Sequence, residues 1–99
     1  MRYEFLGRIW FQGSTGAWRF VSLPEELSTS IKTFTGKPKM AFGSLRVEAK
    51  IGSTRWQTSI FPDAKRNCYV LPIKSDVRRK ESIADGNEVM AAIELYLGL

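Results

Sequence analysis

Trp18-Arg19-Phe20-Val21-Ser22-Leu23-Pro24 leads into Glu25-Glu26-Leu27, and Cys68-Tyr69-Val70-Leu71-Pro72 leads through Ile73-Lys74 into Ser75-Asp76-Val77. In both stretches an apolar strand pattern meets Leu-Pro and then a helix-forming segment. Proline has a fixed φ and no N–H for a sheet ladder, so it ends a strand, and it is tolerated where a helix begins. The repeat of this hinge predicts two strand-to-helix units, around which the other elements fall into place.

Upstream of the first hinge, residues 2–12 alternate, with Tyr3, Phe5, Gly7, Ile9 and Phe11 on one face. Leu6 and Trp10 stand on the other, which predicts a strand covered on both sides. Gly13-Ser14-Thr15-Gly16 supplies the positive φ values of a tight turn, and residues 17–23 return as a second strand. A helix is expected from Pro24 to Phe34, with Glu25 and Glu26 at the positive end of its dipole and Leu27, Ile31 and Phe34 facing inward. Gly36-Lys37-Pro38 stops it. Residues 44–51 alternate most regularly: Leu45, Val47, Ala49 and Ile51 against Ser44, Arg46, Glu48 and Lys50. Gly52-Ser53 reads as a two-residue turn, and residues 55–61 run back with Trp56, Thr58 and Ile60 on one face.

Pro62 to Asn67 reads as a polar loop before the second hinge. Beyond it a helix is expected from Asp76 to Ser82, capped by Ser75 and anchored by Val77. Asp85-Gly86 then turns the chain into a last strand with Val89, Ala91, Ile93, Leu95 and Leu97 toward the core. The order is β-β-α-β twice, in halves of residues 3–51 and 55–97 within one domain, 1–99. Repeated order and repeated hinge imply an internal duplication. One half has too small a core to stand alone, whereas two halves can close their strands into a barrel and remove exposed edges. The expected class is mainly β with two short helices, barrel-like.

Three blocks carry a further resemblance. Gly16-Ala17-Trp18 with Phe20-Val21 and Leu23-Pro24 is the first, and Arg55-Trp56-Gln57-Thr58-Ser59-Ile60-Phe61-Pro62 the second. Tyr69-Val70-Leu71-Pro72-Ile73-Lys74 with Val77-Arg78 is the third, followed by the closing turn and strand at Gly86-Asn87-Glu88-Val89. In these blocks the chain resembles domain-of-unknown-function family 1905. The resemblance implies a double-split β-barrel of two fused halves, related to the swapped-hairpin barrels of AbrB-type transcription factors, which are dimers where this family is a fused monomer. Asn87 is a departure, since the family has Gly-Asp before the last strand. Some relatives carry a second region similar to the bacteriocin-protection (YdeI/OmpD-associated) family, which this chain lacks. The resemblance implies no established activity.

Composition narrows the chemistry. Apolar residues make up 43% and charged residues 25% of the chain, a globular balance. No apolar run approaches the roughly 20 residues of a membrane span, and the N-terminus alternates from the start, so neither a membrane protein nor a signal peptide is expected. A single cysteine, Cys68, excludes an intrachain disulfide and points to the cytoplasm. With no histidine, Ser-His or Cys-His catalysis and histidine metal sites are excluded. Cys68 reads as a buried, inert thiol. Neither Gly-rich segment ends in the Gly-Lys-Ser/Thr of a phosphate loop, and no acid pair is spaced for carboxylate catalysis. The net charge is +5, and the stretch from Lys37 to Lys80 holds 11 basic residues against three acids.

Two constellations remain. Trp10, Trp18, Trp56 and Tyr69 lie on or near strands; aromatic rings at a barrel mouth can hold a small ligand, although filling the barrel is their ordinary role. Lys74, Arg78, Arg79 and Lys80 surround the second helix, with Lys65 and Arg66 on the preceding loop; an arginine there could clamp an anion, although a solvated basic face is the ordinary reading. The leading expectation is a non-enzymatic binding module for a small ligand or a protein partner, using Trp56, Tyr69, Lys74 and Arg78, without a cofactor or metal. The alternative is nucleic-acid binding through Lys65, Arg66, Arg79 and Lys80, on analogy with the AbrB-type fold and the basic middle of the chain, and analogy of fold carries function poorly. An enzyme using carboxylate or Lys/Arg chemistry comes third. A monomer is expected, because duplication supplies the half that a swapped dimer borrows.

Overall fold

Alternation along residues 44–51 becomes a strand whose inward residues Val47 and Ala49 are fully buried. The structure is a computed structural model and describes residues 1–11, 18–35 and 43–96. Its elements are β1 (Arg2–Phe11), β2 (Arg19–Ser22), α1 (Glu25–Thr35), β3 (Leu45–Ile51), β4 (Thr54–Asp63), β5 (Cys68–Pro72), α2 (Ser75–Lys80) and β6 (Glu88–Leu95). The six strands close into a barrel in the order β1-β2-β5-β4-β3-β6, every neighbouring pair antiparallel. The mainly β barrel with two short helices is therefore the fold that the order of elements predicts. The expected turn at Gly13–Gly16, the helix stop at Gly36-Lys37-Pro38 and the core position of Leu97 lie outside the described residues.

Exchanging β1, β2, α1 and β3 for β4, β5, α2 and β6 reproduces the same strand neighbours. Aligning one Leu-Pro hinge on the other superimposes Ser22 on Val70, and these two are register partners on β2 and β5. The hinges are thus tied to each other. The Leu23 N–H donates to the Tyr69 carbonyl at 2.9 Å, and the Ile73 N–H donates to the Arg19 carbonyl at 2.8 Å. Inside the barrel, Val21, Ile31, Val47, Ile60, Leu71 and Ile93 are fully excluded from water, each side chain stabilising the fold by about 1.5–3 kcal/mol through burial.

Several local expectations need correction. Leu6 is 51% exposed beside its register partner Met90, 55% exposed, so this part of β1 is covered on one face only. Phe34 is exposed as well, and Ser28 replaces it on the inward side of α1. Among the described residues the helix packs mainly against the short strand β5. Pro62 does not end β4, which runs on to Asp63. Pairing with β3 stops at Ile60, so beyond it β4 has a ladder on one side only, where a missing N–H is tolerated.

At the second hinge Lys74, not Ser75, occupies the N-cap of α2, and no side chain caps it. Basic residues Arg78, Arg79 and Lys80 fill the last turn, where the carbonyl end of the helix favours positive charge. The helix ends with Ser82 at φ 54°. The Ile83 N–H reaches back to the Arg78 carbonyl at 2.8 Å and the Ser82 N–H to the Arg79 carbonyl at 3.3 Å. This is a Schellman closure with serine in the place usually taken by glycine. Asn87 then serves the last turn, its side-chain oxygen accepting from the Ala84 N–H at 2.8 Å, a role in which asparagine and aspartate are equivalent.

Candidate functional site

The hinge after β2 sends α1 back across β5, and the two elements are joined by a buried polar contact. The Tyr69 N–H donates to the Ser28 hydroxyl at 2.9 Å, with both residues buried. At the helix start, the Asn67 side-chain amide donates to the Glu25 carboxylate at 2.9 Å. Asn67 holds φ 54°, a left-handed conformation that asparagine accepts more readily than most residues. Between these contacts lies a groove of about 210 Å³, lined by Ser28, Thr29 and Lys32 of α1 and by Pro62, Asp63, Ala64, Asn67, Cys68 and Tyr69 of the facing strands and turn.

The charges in the groove are not equivalent. Asp63 Oδ1 accepts the backbone N–H groups of Lys65 at 3.1 Å and Arg66 at 3.3 Å, and its Oδ2 pairs with the Arg66 guanidinium at 2.8 Å. Desolvation pushes this carboxyl up, but the hydrogen bonds and charge of Arg66, with the Lys65 N–H, outweigh it and hold the carboxyl below its ordinary value. Lys32 is exposed and takes part in no ion pair among the described residues. It is the free cation of the groove lining. Cys68 is half-buried rather than buried. Desolvation raises its pKa; the Ser22 hydroxyl opposes this, and the charges of Asp63 and Glu25 add to it. The thiol is therefore protonated at neutral pH, a weak hydrogen-bond donor and a poor nucleophile.

The four residues expected to form a ligand site are placed apart. Trp56 and Tyr69 belong to the core cluster inside the barrel, 9% and 1% exposed. Lys74 is exposed at the N-cap of α2, and the Arg78 Nε–H turns back to the Ile73 carbonyl at 3.3 Å. Of the four, only Tyr69 lines the groove. Nor do Lys65, Arg66, Arg79 and Lys80 form one patch. The turn carrying the first two precedes β5 and the helix carrying the others follows it, so the strand separates them, by about 16 Å at the usual rise. Arg66 is paired with Asp63, and Arg79 with Asp76 at 2.8 Å.

Trp10 and Trp18 are not core filling either. Trp18 is 65% exposed, and Trp10 is half-buried on the outside of the sheet. Sequence reasoning passed over Ser28, Lys32 and Asn67. The one signal present for them was the polar Ser28 between Leu27 and Ile31 on the inward stripe, which asks for a hydrogen-bond partner.

A search of curated proteins found none that matches this sequence. Among protein families, the model described as "Domain of unknown function (DUF1905)" matches residues 5–93, a span holding both hinges, the groove and nearly all of the barrel. The chain belongs to the DUF1905 family.

Proposed function

We propose that the protein is a non-enzymatic binding module whose ligand is a small anionic or zwitterionic molecule held in the groove between α1 and the β4–β5 turn. The observation that carries this reading is Lys32, in no ion pair among the described residues, at the edge of a concave, mixed-polarity groove. The volume, about 210 Å³, is on the order of seven water-sized groups. A carboxylate or phosphate would meet Lys32, the Asn67 amide and the Cys68 thiol would orient it, and Pro62 and Ala64 would form the apolar wall. Asp63, its charge kept by Arg66, could take the ammonium of a zwitterion.

A binding role is favoured over catalysis by the composition of the groove. The chain has no histidine, and the raised thiol removes the one soft nucleophile. The same reading has the chain acting as a cytoplasmic monomer assembled by internal duplication. Its supports are the matching strand neighbours of the two halves and a closed barrel without a sheet edge to donate. Among the described residues no helix is long and apolar enough to cross a membrane.

Thermal-shift titration with a panel of small carboxylates, phosphates and amino acids tests the reading. A ligand that stabilises the wild type and loses about tenfold or more in affinity in Lys32→Ala supports it. Stabilisation that Lys32→Ala leaves unchanged but Arg78→Ala abolishes would move the site to α2.

A further inference from the structure

A second feature, on the outer face of the barrel, meets the groove at the Arg66–Asp63 pair and otherwise lies outside it. The Trp18 and Phe20 rings stack with centroids 6.4 Å apart and planes 15° from parallel. Phe20 continues onto Trp10 at 4.9 Å, and the Arg66 guanidinium lies 3.8 Å from the Trp10 centroid. The members are held from behind. Trp10 Nε1–H donates to the Ser22 hydroxyl at 2.9 Å, and Arg66 is fixed by Asp63. The stack ends at Trp18, which is 65% exposed and has Phe20 as its one ring partner among the described residues. A tryptophan so exposed adds little to the core, and a pre-ordered stack with an open end is suited to receiving another flat ring.

Cations accompany the rings. Arg8 is exposed two residues before Trp10, on the same face of β1. Lys65, next to Arg66, is exposed and in no ion pair among the described residues. Flat rings interleaved with positive charge, on a chain of net charge +5, complement a polyanion that carries flat groups. We propose that this face is a stacking platform for single-stranded nucleic acid, a base extending the stack at Trp18 and the phosphates running toward Lys65 and Arg66. The recognition is indifferent to sequence, since every base offers a π-face.

Fluorescence anisotropy with labelled oligothymidylate, a duplex of equal length and a series of salt concentrations tests this. The wild type binds the single strand more tightly than the duplex. Trp18→Ala weakens binding by about fivefold or more, the lower end expected for one lost base stack. Lys65→Gln, on an exposed turn where folding is safe, flattens the slope of log K against log salt by about 0.7. Lys32→Ala leaves oligonucleotide binding unchanged, which separates this face from the groove. Absence of binding at low salt, equal affinity for the duplex, or wild-type affinity in both Trp18→Ala and Lys65→Gln overturns the proposal.

Discussion

The hydroxyl of Ser28 receives the backbone N–H of Tyr69 at 2.9 Å across 41 positions of sequence, out of reach of water. This bond joins helix to strand and forms the floor of the groove. Ser28→Ala would leave the Tyr69 N–H buried and unpaired, which costs about 1–3 kcal/mol. Chemical denaturation should show a loss of that size, and a change below about 0.5 kcal/mol would mean that the N–H finds another acceptor.

Tyr69 itself presents the opposite case. Its hydroxyl is buried with no hydrogen-bond partner among the described residues, as is the indole N–H of Trp56. Tyr69→Phe removes an unsatisfied polar atom without opening a cavity, so stability should hold or rise. Burial also raises the phenol pKa above its ordinary 10.0. The folded state then keeps its proton where the unfolded state has lost it, so stability falls as pH climbs through about 10. Cys68, raised from 9.0, begins the same decline earlier. Denaturation midpoints from pH 8 to 11 should fall less in Tyr69→Phe than in the wild type, and parallel curves would contradict this assignment.

Ser82 holds a left-handed conformation that a side chain other than glycine adopts at a cost of about 1–2 kcal/mol. Ser82→Gly should therefore raise stability, by about 0.5–1 kcal/mol after the extra freedom of glycine in the unfolded chain is deducted. A loss on the same substitution would mean that the serine side chain contributes a contact of its own.

Gly52 carries the reverse constraint. It lies at φ 60° in the β3–β4 turn, and an added methyl group would meet the Glu81 carboxylate. That carboxylate is held by the Thr54 hydroxyl at 2.6 Å, which ties the end of α2 to the turn. Gly52→Ala should cost about 1–2 kcal/mol, and adding Glu81→Ala should recover the part due to collision, so the two effects should not add. Strict additivity would show that backbone strain alone is responsible.

The extent to which the chain could be read in advance follows from the range of the interactions. Leu-Pro hinges and the alternation of Leu45–Ile51 are local, and they led to the strands, the helices and the barrel. The same periodicity misplaced Leu6 and Phe34, because an apolar residue registers a face without saying whether another element covers it. The expected site residues are dispersed for a related reason. Tyr69, Lys74 and Arg78 are near in sequence, but the pleat of β5 turns Tyr69 into the barrel while the hinge carries Lys74 and Arg78 out onto α2. The groove joins α1 to the β4–β5 turn through contacts such as Asn67 to Glu25, 42 positions apart, and no short-range pattern encodes these.

Amide chemical-shift mapping of the labelled protein, titrated with a small carboxylate or amino acid that stabilises it, tests the ligand groove most directly. The shifts should gather at Ser28, Thr29, Lys32, Asn67 and Cys68, leave Lys74–Arg78 still, and vanish in Lys32→Ala. Shifts gathered around Lys74 and Arg78 and unaffected by Lys32→Ala would contradict a ligand site in the groove.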